Sequence, residues 1–131
     1  MMLSFDNVEF HYRNQAVFTN LNMELDYGEF VFVIGKSGIG KSTLMQLIYM
    51  NIFPLTGIVR IDEFDSQTIK PSQIPLLRRK VGVIFQDFKL LPDRNVFQNL
   101  AYVTKVIGTP SKEAKKKIND VLSEVGLSHK R

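Results

Sequence analysis

The stretch Phe30-Val31-Phe32-Val33-Ile34-Gly35-Lys36-Ser37-Gly38-Ile39-Gly40-Lys41-Ser42-Thr43 decides the reading of this chain. Its first five residues are continuously apolar and rich in β-branched and aromatic side chains. Such a run predicts a strand buried on both faces. Gly35 to Ser42 then fits the pattern G-x-x-x-x-G-K-[ST]. Glycine lets the backbone turn tightly and approach a bound group closely. Successive N–H groups can then converge as an anion-binding nest. The helix predicted over residues 41–50 adds the positive end of its dipole. In that arrangement Lys41 reaches β- and γ-phosphates, and the Ser42 hydroxyl ligates magnesium. A chance match in a glycine turn is the alternative. The context favours the phosphate loop, because the motif follows a buried strand and opens a helix.

Working outward, Leu3, Phe5, Val8 and Phe10 mark a first strand of imperfect alternation. Leu21, Met23 and Leu25 alternate with Asn22 and Glu24 as a half-buried second strand, and Tyr27-Gly28-Glu29 is a turn. Residues 58–61 form a further strand candidate, residues 73–79 a short helix, and residues 81–85 a second buried strand. Val96, Leu100, Val103 and Ile107 share one face of a predicted helix over residues 95–107. A last helix starts with Thr109 as N-cap and Pro110 at its first position. Ala114, Ile118, Val121, Leu122 and Val125 form its apolar face, and Gly126 its C-cap glycine. Lys115-Lys116-Lys117 is read as a solvated face.

The 131 residues suit one domain, and 44% hydrophobic with 23% charged residues is ordinary for a globular protein. The net charge of +4 is mild, and solvated lysines account for it more simply than a nucleic acid or membrane surface does. Without cysteine, disulfides and thiolate metal sites are excluded. The N-terminus lacks the basic and apolar regions of a secretory signal, and no stretch of about 18 apolar residues exists. A membrane role is therefore expected through a partner.

A phosphate-loop hydrolase needs acidic groups near its metal, usually at the end of a second buried strand. Asp62-Glu63 follows an alternating strand interrupted by Arg60 and is expected to form a turn. The strand over residues 81–85 is followed by Gln86-Asp87. The amide of Gln86 can ligate a metal or orient a water, or it can cap a strand edge; the residues alone leave both open. Tyr12 can stack on an adenine ring, although a lone tyrosine is more often surface packing.

Taken together, Tyr12, the loop from Gly35 to Thr43, and Val81-Gly82-Val83-Ile84-Phe85-Gln86-Asp87 resemble an ABC-type ATPase. Ile74-Pro75-Leu76-Leu77-Arg78-Arg79, and Leu90-Leu91-Pro92-Asp93-Arg94-Asn95-Val96, resemble the FtsE branch. ATPases of lipoprotein release and macrolide efflux are close relatives of that branch. The resemblance implies an α/β P-loop NTPase fold with an N-terminal β-rich subdomain, an incomplete parallel-sheet core and flanking helices. It implies an A-loop role for Tyr12 and a Walker A role for Gly35, Lys36, Ser37, Gly38, Ile39, Gly40, Lys41 and Ser42, with Thr43 near the α-phosphate. Gln86 would be the Q-loop glutamine, contacting magnesium and the attacking water. Phe88, Lys89, Leu90, Leu91, Pro92, Asp93 and Arg94 would meet the membrane subunit's coupling helix, with Leu90 or Leu91 packing inward.

These 131 residues contain no Leu-Ser-Gly-Gly-Gln signature, no convincing Walker B strand and no late switch histidine. His11 and His129 are the only histidines, and the sequence closes at Lys130-Arg131. The expectation is therefore the N-terminal part (residues 1–131) of a longer ABC nucleotide-binding domain that uses ATP and Mg2+. The resemblance implies a homodimer in the full-length protein and an FtsX-like integral membrane partner. It implies residence on the cytoplasmic face of the plasma membrane, a role in cell division and no nucleic acid. The chain alone is expected to bind nucleotide weakly and not to hydrolyse it appreciably. The ATPase subunit of a lipoprotein-release or efflux ABC transporter, a small P-loop kinase or GTPase, and a standalone nucleotide-binding module without turnover are the alternatives; the guanine-reading Asn-Lys-x-Asp motif is absent.

Overall fold

The computed structural model describes residues 2–129; Met1, Lys130 and Arg131 lie outside the described residues. The chain divides into two compact units, Met1–Gly82 and Val83–Arg131.

The first unit is built on a four-stranded antiparallel sheet. Its strands are β1 (Leu3–Tyr12), β2 (Gln15–Leu25), β3 (Thr56–Ile61) and β4 (Phe64–Asp65), in the order β2-β1-β3-β4. The hairpin between β1 and β2 turns through Arg13, which adopts a φ of 50°. The imperfect alternation of β1 has a specific cause. The register shifts between Phe5 and Val8, where Asn7 takes a φ of 49°. This bulge resets the pleat, so Phe5 and Val8 both point into the core although three residues apart. Gly57 on β3 lies directly over the bulge: a Cβ there would stand 2.3 Å from the Asn7 carbonyl oxygen.

Helix α1 (Lys41–Ile48) and helix α2 (Ile74–Lys80) complete this unit. Leu44 and Leu47 of α1, Met50 just beyond it, and Leu77 of α2 join Leu3, Phe5, Val8, Phe10, Val59, Ile61 and Phe64 in one core. Each such large side chain contributes about 1.5–3 kcal/mol by leaving water. Arg78 ties the two helices together. Its guanidinium donates to the carbonyls of Tyr49 (3.2 Å) and Met50 (3.2 Å) and lies over the Tyr49 ring. It thereby satisfies carbonyls at the end of α1 that no basic residue of its last turn could reach.

The buried strand expected over residues 30–34 is not formed. This run has no strand partner among the described residues, and Phe30 and Ile34 are 82% and 89% exposed. Residues 81–85 likewise form no strand among the described residues, and Ile84 is 99% exposed. An isolated extended segment leaves its N–H and C=O groups without a ladder, so apolar character alone does not make it a strand. The only sheet among the described residues is antiparallel, and the expected parallel core is not seen.

The second unit consists of α3 (Val96–Val106) and α4 (Ser111–Glu124), which pack against each other. Asn95 caps α3 through a reciprocal capping box with Gln98. Helix α4 starts one residue later than expected: Pro110 is its N-cap, and Thr109 lies outside. Ala114, Ile118 and Leu122 are buried as expected, whereas Val121 and Val125 are exposed. Gly126, at φ 72°, closes α4, with Leu127 donating back to the Leu122 carbonyl at 2.7 Å. No helix among the described residues is long and apolar enough to cross a membrane.

Candidate functional site

The phosphate-loop candidate connects the unpaired run 30–34 to α1. Gly38 and Gly40 hold φ values of 79° and 117°, conformations that side-chain-bearing residues rarely adopt. Gly40 is the N-cap of α1, and no side chain caps the helix. The first-turn amides of Lys41, Ser42 and Thr43 have no carbonyl one turn earlier within the helix. They therefore leave an N-terminal donor set of the kind that binds phosphate. A Cβ at Gly38 would meet nothing within 4 Å, so that side of the loop is open.

Lys41 folds back into the loop. Its ammonium donates to the carbonyls of Gly35 (2.6 Å) and Lys36 (2.8 Å). An ammonium has three donors, so these two bonds leave one uncommitted. No carboxylate pairs with it among the described residues. The Ser42 hydroxyl is exposed and makes no hydrogen bond to protein among the described residues, while Thr43 is buried at 6% exposure. An uncompensated cation, convergent amides and a free hydroxyl oxygen fit a magnesium-bound polyphosphate.

The β1–β2 hairpin buttresses the loop. The Val17 γ1 carbon would lie 2.5 Å, and the Phe18 ring 3.2 Å, from a Cβ at Gly40. Phe18 pairs across the hairpin with Phe10, whose ring meets Tyr12 edge-on at 4.9 Å. Tyr12 is thus linked to the loop through two phenylalanines, and at 47% exposure its ring is accessible to a planar ligand.

Gln86 lies in the second unit, exposed within a turn in which Phe88 and Lys89 adopt φ values of 56° and 49°. Lys89 donates to Asp87 at 2.6 Å and holds its carboxyl below the usual range. Phe88 and Leu90 are exposed, whereas Leu91 is half-buried. The segment 91–95 is organised by Asn99, which sequence reasoning missed. Its amide oxygen accepts from the Leu91 N–H (2.8 Å), and its NH2 donates to the carbonyls of Leu91, Arg94 and Asn95.

Asp62 and Glu63 form the expected turn, between β3 and β4, with Asp62 at φ 55°. Their carboxylates are committed to protein partners. Lys80 donates to Asp62 (2.9 Å) and Glu63 (2.6 Å), and the Tyr27 hydroxyl donates to Asp62. Hydrogen bonds from Tyr27 and Lys80 lower the Asp62 pKa, and the Lys80 bond lowers that of Glu63. No group of three His, Cys, Asp or Glu residues able to hold a metal occurs among the described residues.

A family model described as "ABC transporter" matches residues 18–131. The chain belongs to the ABC transporter family. The "Cell division ATP-binding protein FtsE" of Bacillus subtilis is 46% identical over 110 residues, covering 84% of this chain and 48% of the relative. The "Methionine import ATP-binding protein MetN 1" of Bacillus thuringiensis is 38% identical over 133 residues, covering 98% of this chain and 39% of the relative. Among solved structures, a dimeric post-hydrolysis state of the ATP-binding cassette MJ0796 bound to ADP and Pi superposes with a TM-score of 0.78. It is 28% identical, and the match covers 93% of this chain and 56% of that one. The ABC ATPase fold is therefore present in this family member, which spans about half the length of the curated relatives it matches.

Proposed function

We propose that this ABC family member binds ATP with magnesium through Gly35, Lys36, Ser37, Gly38, Ile39, Gly40, Lys41, Ser42 and Thr43. The observation that carries this reading is the Lys41 ammonium, seated between two loop carbonyls without a carboxylate partner among the described residues. On binding, its free donor takes a phosphate oxygen, while the α1 amides hold the remaining anionic oxygens. Tyr12 stacks on the adenine. The Ser42 hydroxyl and the Gln86 amide supply metal-side oxygens. Bound magnesium supplies the positive charge that neutralises the β- and γ-phosphates.

The fuller reading is the N-terminal portion, residues 1–131, of the ATP-binding subunit of an FtsE–FtsX-like complex. There residues 30–34 and 81–85 are strands of a parallel core, paired with strands from the rest of the domain. Their exposure here supports this, because a run such as Phe-Val-Phe-Val-Ile needs cover on both faces. The full-length protein dimerises on the cytoplasmic face of the plasma membrane and hydrolyses ATP. It couples that cycle to an FtsX-like membrane subunit through residues 88–94 during cell division. The 131-residue chain alone binds nucleotide without turnover. The 46% identity to an FtsE favours this branch. The 38% identity to a MetN across nearly the whole chain supports a second reading, the ATPase of a transport system.

Recovery of the full-length protein on an affinity tag from detergent-solubilised membranes tests the branch. An FtsX-like subunit identified in the eluate is the expected result. An import or efflux permease in its place overturns the cell-division assignment and leaves the nucleotide site standing.

A further inference from the structure

Between Phe10 and His11 the pairing of β1 with β2 changes register. Phe10 faces Phe18, whereas His11 faces Ala16, so Val17 is an extra residue on β2. In regular pairing Val17 and Phe18 would point to opposite faces of the sheet. The bulge turns both toward one glycine. Their side chains come within 2.5 Å and 3.2 Å of the point that a Cβ on Gly40 would occupy. Gly40 is the last glycine of the phosphate loop and the N-cap of α1. Phe18 also packs against the core that contains Phe10. The Phe10 ring in turn meets the Tyr12 ring at 4.9 Å, with the planes 84° apart.

These contacts form one packed series from Tyr12 to the loop. Phe10 is buried and Phe18 half-buried, so neither reorients without opening the core. Tyr12 differs. Its ring is exposed, yet Phe10 holds it from within. A large ring that is fixed and still open to solvent is preorganised for a ligand. We infer that Phe10 and Phe18 are positioning residues that set the span between the Tyr12 ring and the phosphate loop. This rests on the reading of Tyr12 and the loop as an ATP site, and deepens it. A nucleoside triphosphate carries its base at one end and its phosphates at the other. A fixed span favours only a ligand that engages both ends, because the rings need no further ordering when it binds. An inorganic polyphosphate uses the loop alone and gains nothing from the span. Phe10 thus acts on the base through Tyr12, and Phe18 anchors that arrangement on Gly40.

Isothermal titration with magnesium-ATP and with magnesium-tripolyphosphate tests this on the unmodified chain, Phe10→Leu, Tyr12→Leu and the double variant. Leucine at the buried position keeps most of the apolar burial and loses the ring contact. Tyr12→Leu removes the base stack and is expected to weaken ATP binding by about five- to a hundredfold. Phe10→Leu is expected to weaken it by about two- to tenfold, the worth of one edge-on ring pair, and to leave tripolyphosphate binding unchanged. With Tyr12→Leu already in place, Phe10→Leu is expected to add nothing, because its effect passes through the tyrosine. Phe18→Leu, at a half-buried position, carries the same comparison if Phe10→Leu does not fold by circular dichroism. Undiminished ATP affinity in the folded phenylalanine variant overturns the inference. So do equal ATP losses with and without Tyr12, or equal losses for ATP and tripolyphosphate; each leaves the nucleotide site standing. ATP binding by Tyr12→Leu as tight as by the unmodified chain overturns the stacking reading itself, and the inference with it.

Discussion

The γ1 carbon of Val17 stands 2.5 Å from the point that a Cβ on Gly40 would have to occupy. The hairpin thus closes against the loop where the backbone takes a φ of 117°. Gly40→Ala must both adopt a disfavoured conformation and displace Val17, at a cost of about 2 kcal/mol or more. Because the strain falls at the N-cap of α1, ATP affinity should drop with stability. Val17→Ala should relieve the clash but leave the φ penalty. The double variant is therefore expected to recover part of the lost stability in urea unfolding. Full additivity of the two substitutions would show that the contact does not limit the loop.

Gly57 meets a harder obstacle. A Cβ there would lie 2.3 Å from the Asn7 oxygen and 2.5 Å from that of Asp6, both backbone atoms. Backbone in a sheet yields less than a valine side chain does. Gly57→Ala should cost about 3 kcal/mol or more, exceeding Gly40→Ala in stability while affecting nucleotide affinity less at temperatures where the protein remains folded. Denaturation and binding measured on the two variants side by side decide this.

The four hydrogen bonds of the Asn99 side chain hold segment 91–95 in place. Asn99→Ala removes the acceptor of the Leu91 N–H and the side-chain donor to the Arg94 carbonyl, while the Leu91 and Asn95 carbonyls keep backbone donors, and should raise amide hydrogen exchange across that segment by about tenfold or more. Asn95→Ala removes only the cap of α3 and should lower stability by about 1 kcal/mol. Unchanged exchange in Asn99→Ala would mean that the segment is held by other contacts.

The cluster of Lys80 with Asp62 and Glu63 sets a pH dependence. Both carboxyls are lowered by hydrogen bonds from neighbours, so their stabilisation is present above their unfolded values, about 4. It is lost as pH falls through the lower folded values. The Glu63 and Asp62 bonds raise the Lys80 pKa, so its contribution persists below the ordinary lysine value of 10.5 and fades as pH rises through the higher one. Lys80→Met should therefore flatten the loss of stability at both limits and leave the shape of the profile unchanged between about pH 5 and pH 10. Thermal denaturation across pH measures it.

Much of this was legible in the sequence. The glycine spacing placed a tight turn opening a helix at Lys41, and alternation located β2 and β3. The turn at Asp62-Glu63 followed from Arg60 interrupting its strand. Three things were not legible. Residues 30–34 and 81–85 read as strands because apolar character signals burial, but pairing depends on neighbours that the run itself does not encode. The bulge at Asn7 required knowing that Gly57 packs against it. Arg78 and Asn99 act on backbone carbonyls, which leave no side-chain pattern. The capping box Asn95-x-x-Gln98 did carry a readable signature and was missed in favour of helix periodicity.

Isothermal titration of the chain with magnesium and ATP, beside Lys41→Ala, tests the central claim most directly. Lys41 donates only to the Gly35 and Lys36 carbonyls among the described residues, so the variant should keep its fold by circular dichroism. Loss of a charge-assisted phosphate contact is worth about 1.5–3 kcal/mol, or roughly ten- to a hundredfold in affinity. Saturable binding by the unmodified chain, weakened by that factor in Lys41→Ala, is the predicted result. Equal affinity in a folded variant, or no binding by either protein, would contradict the phosphate-loop account.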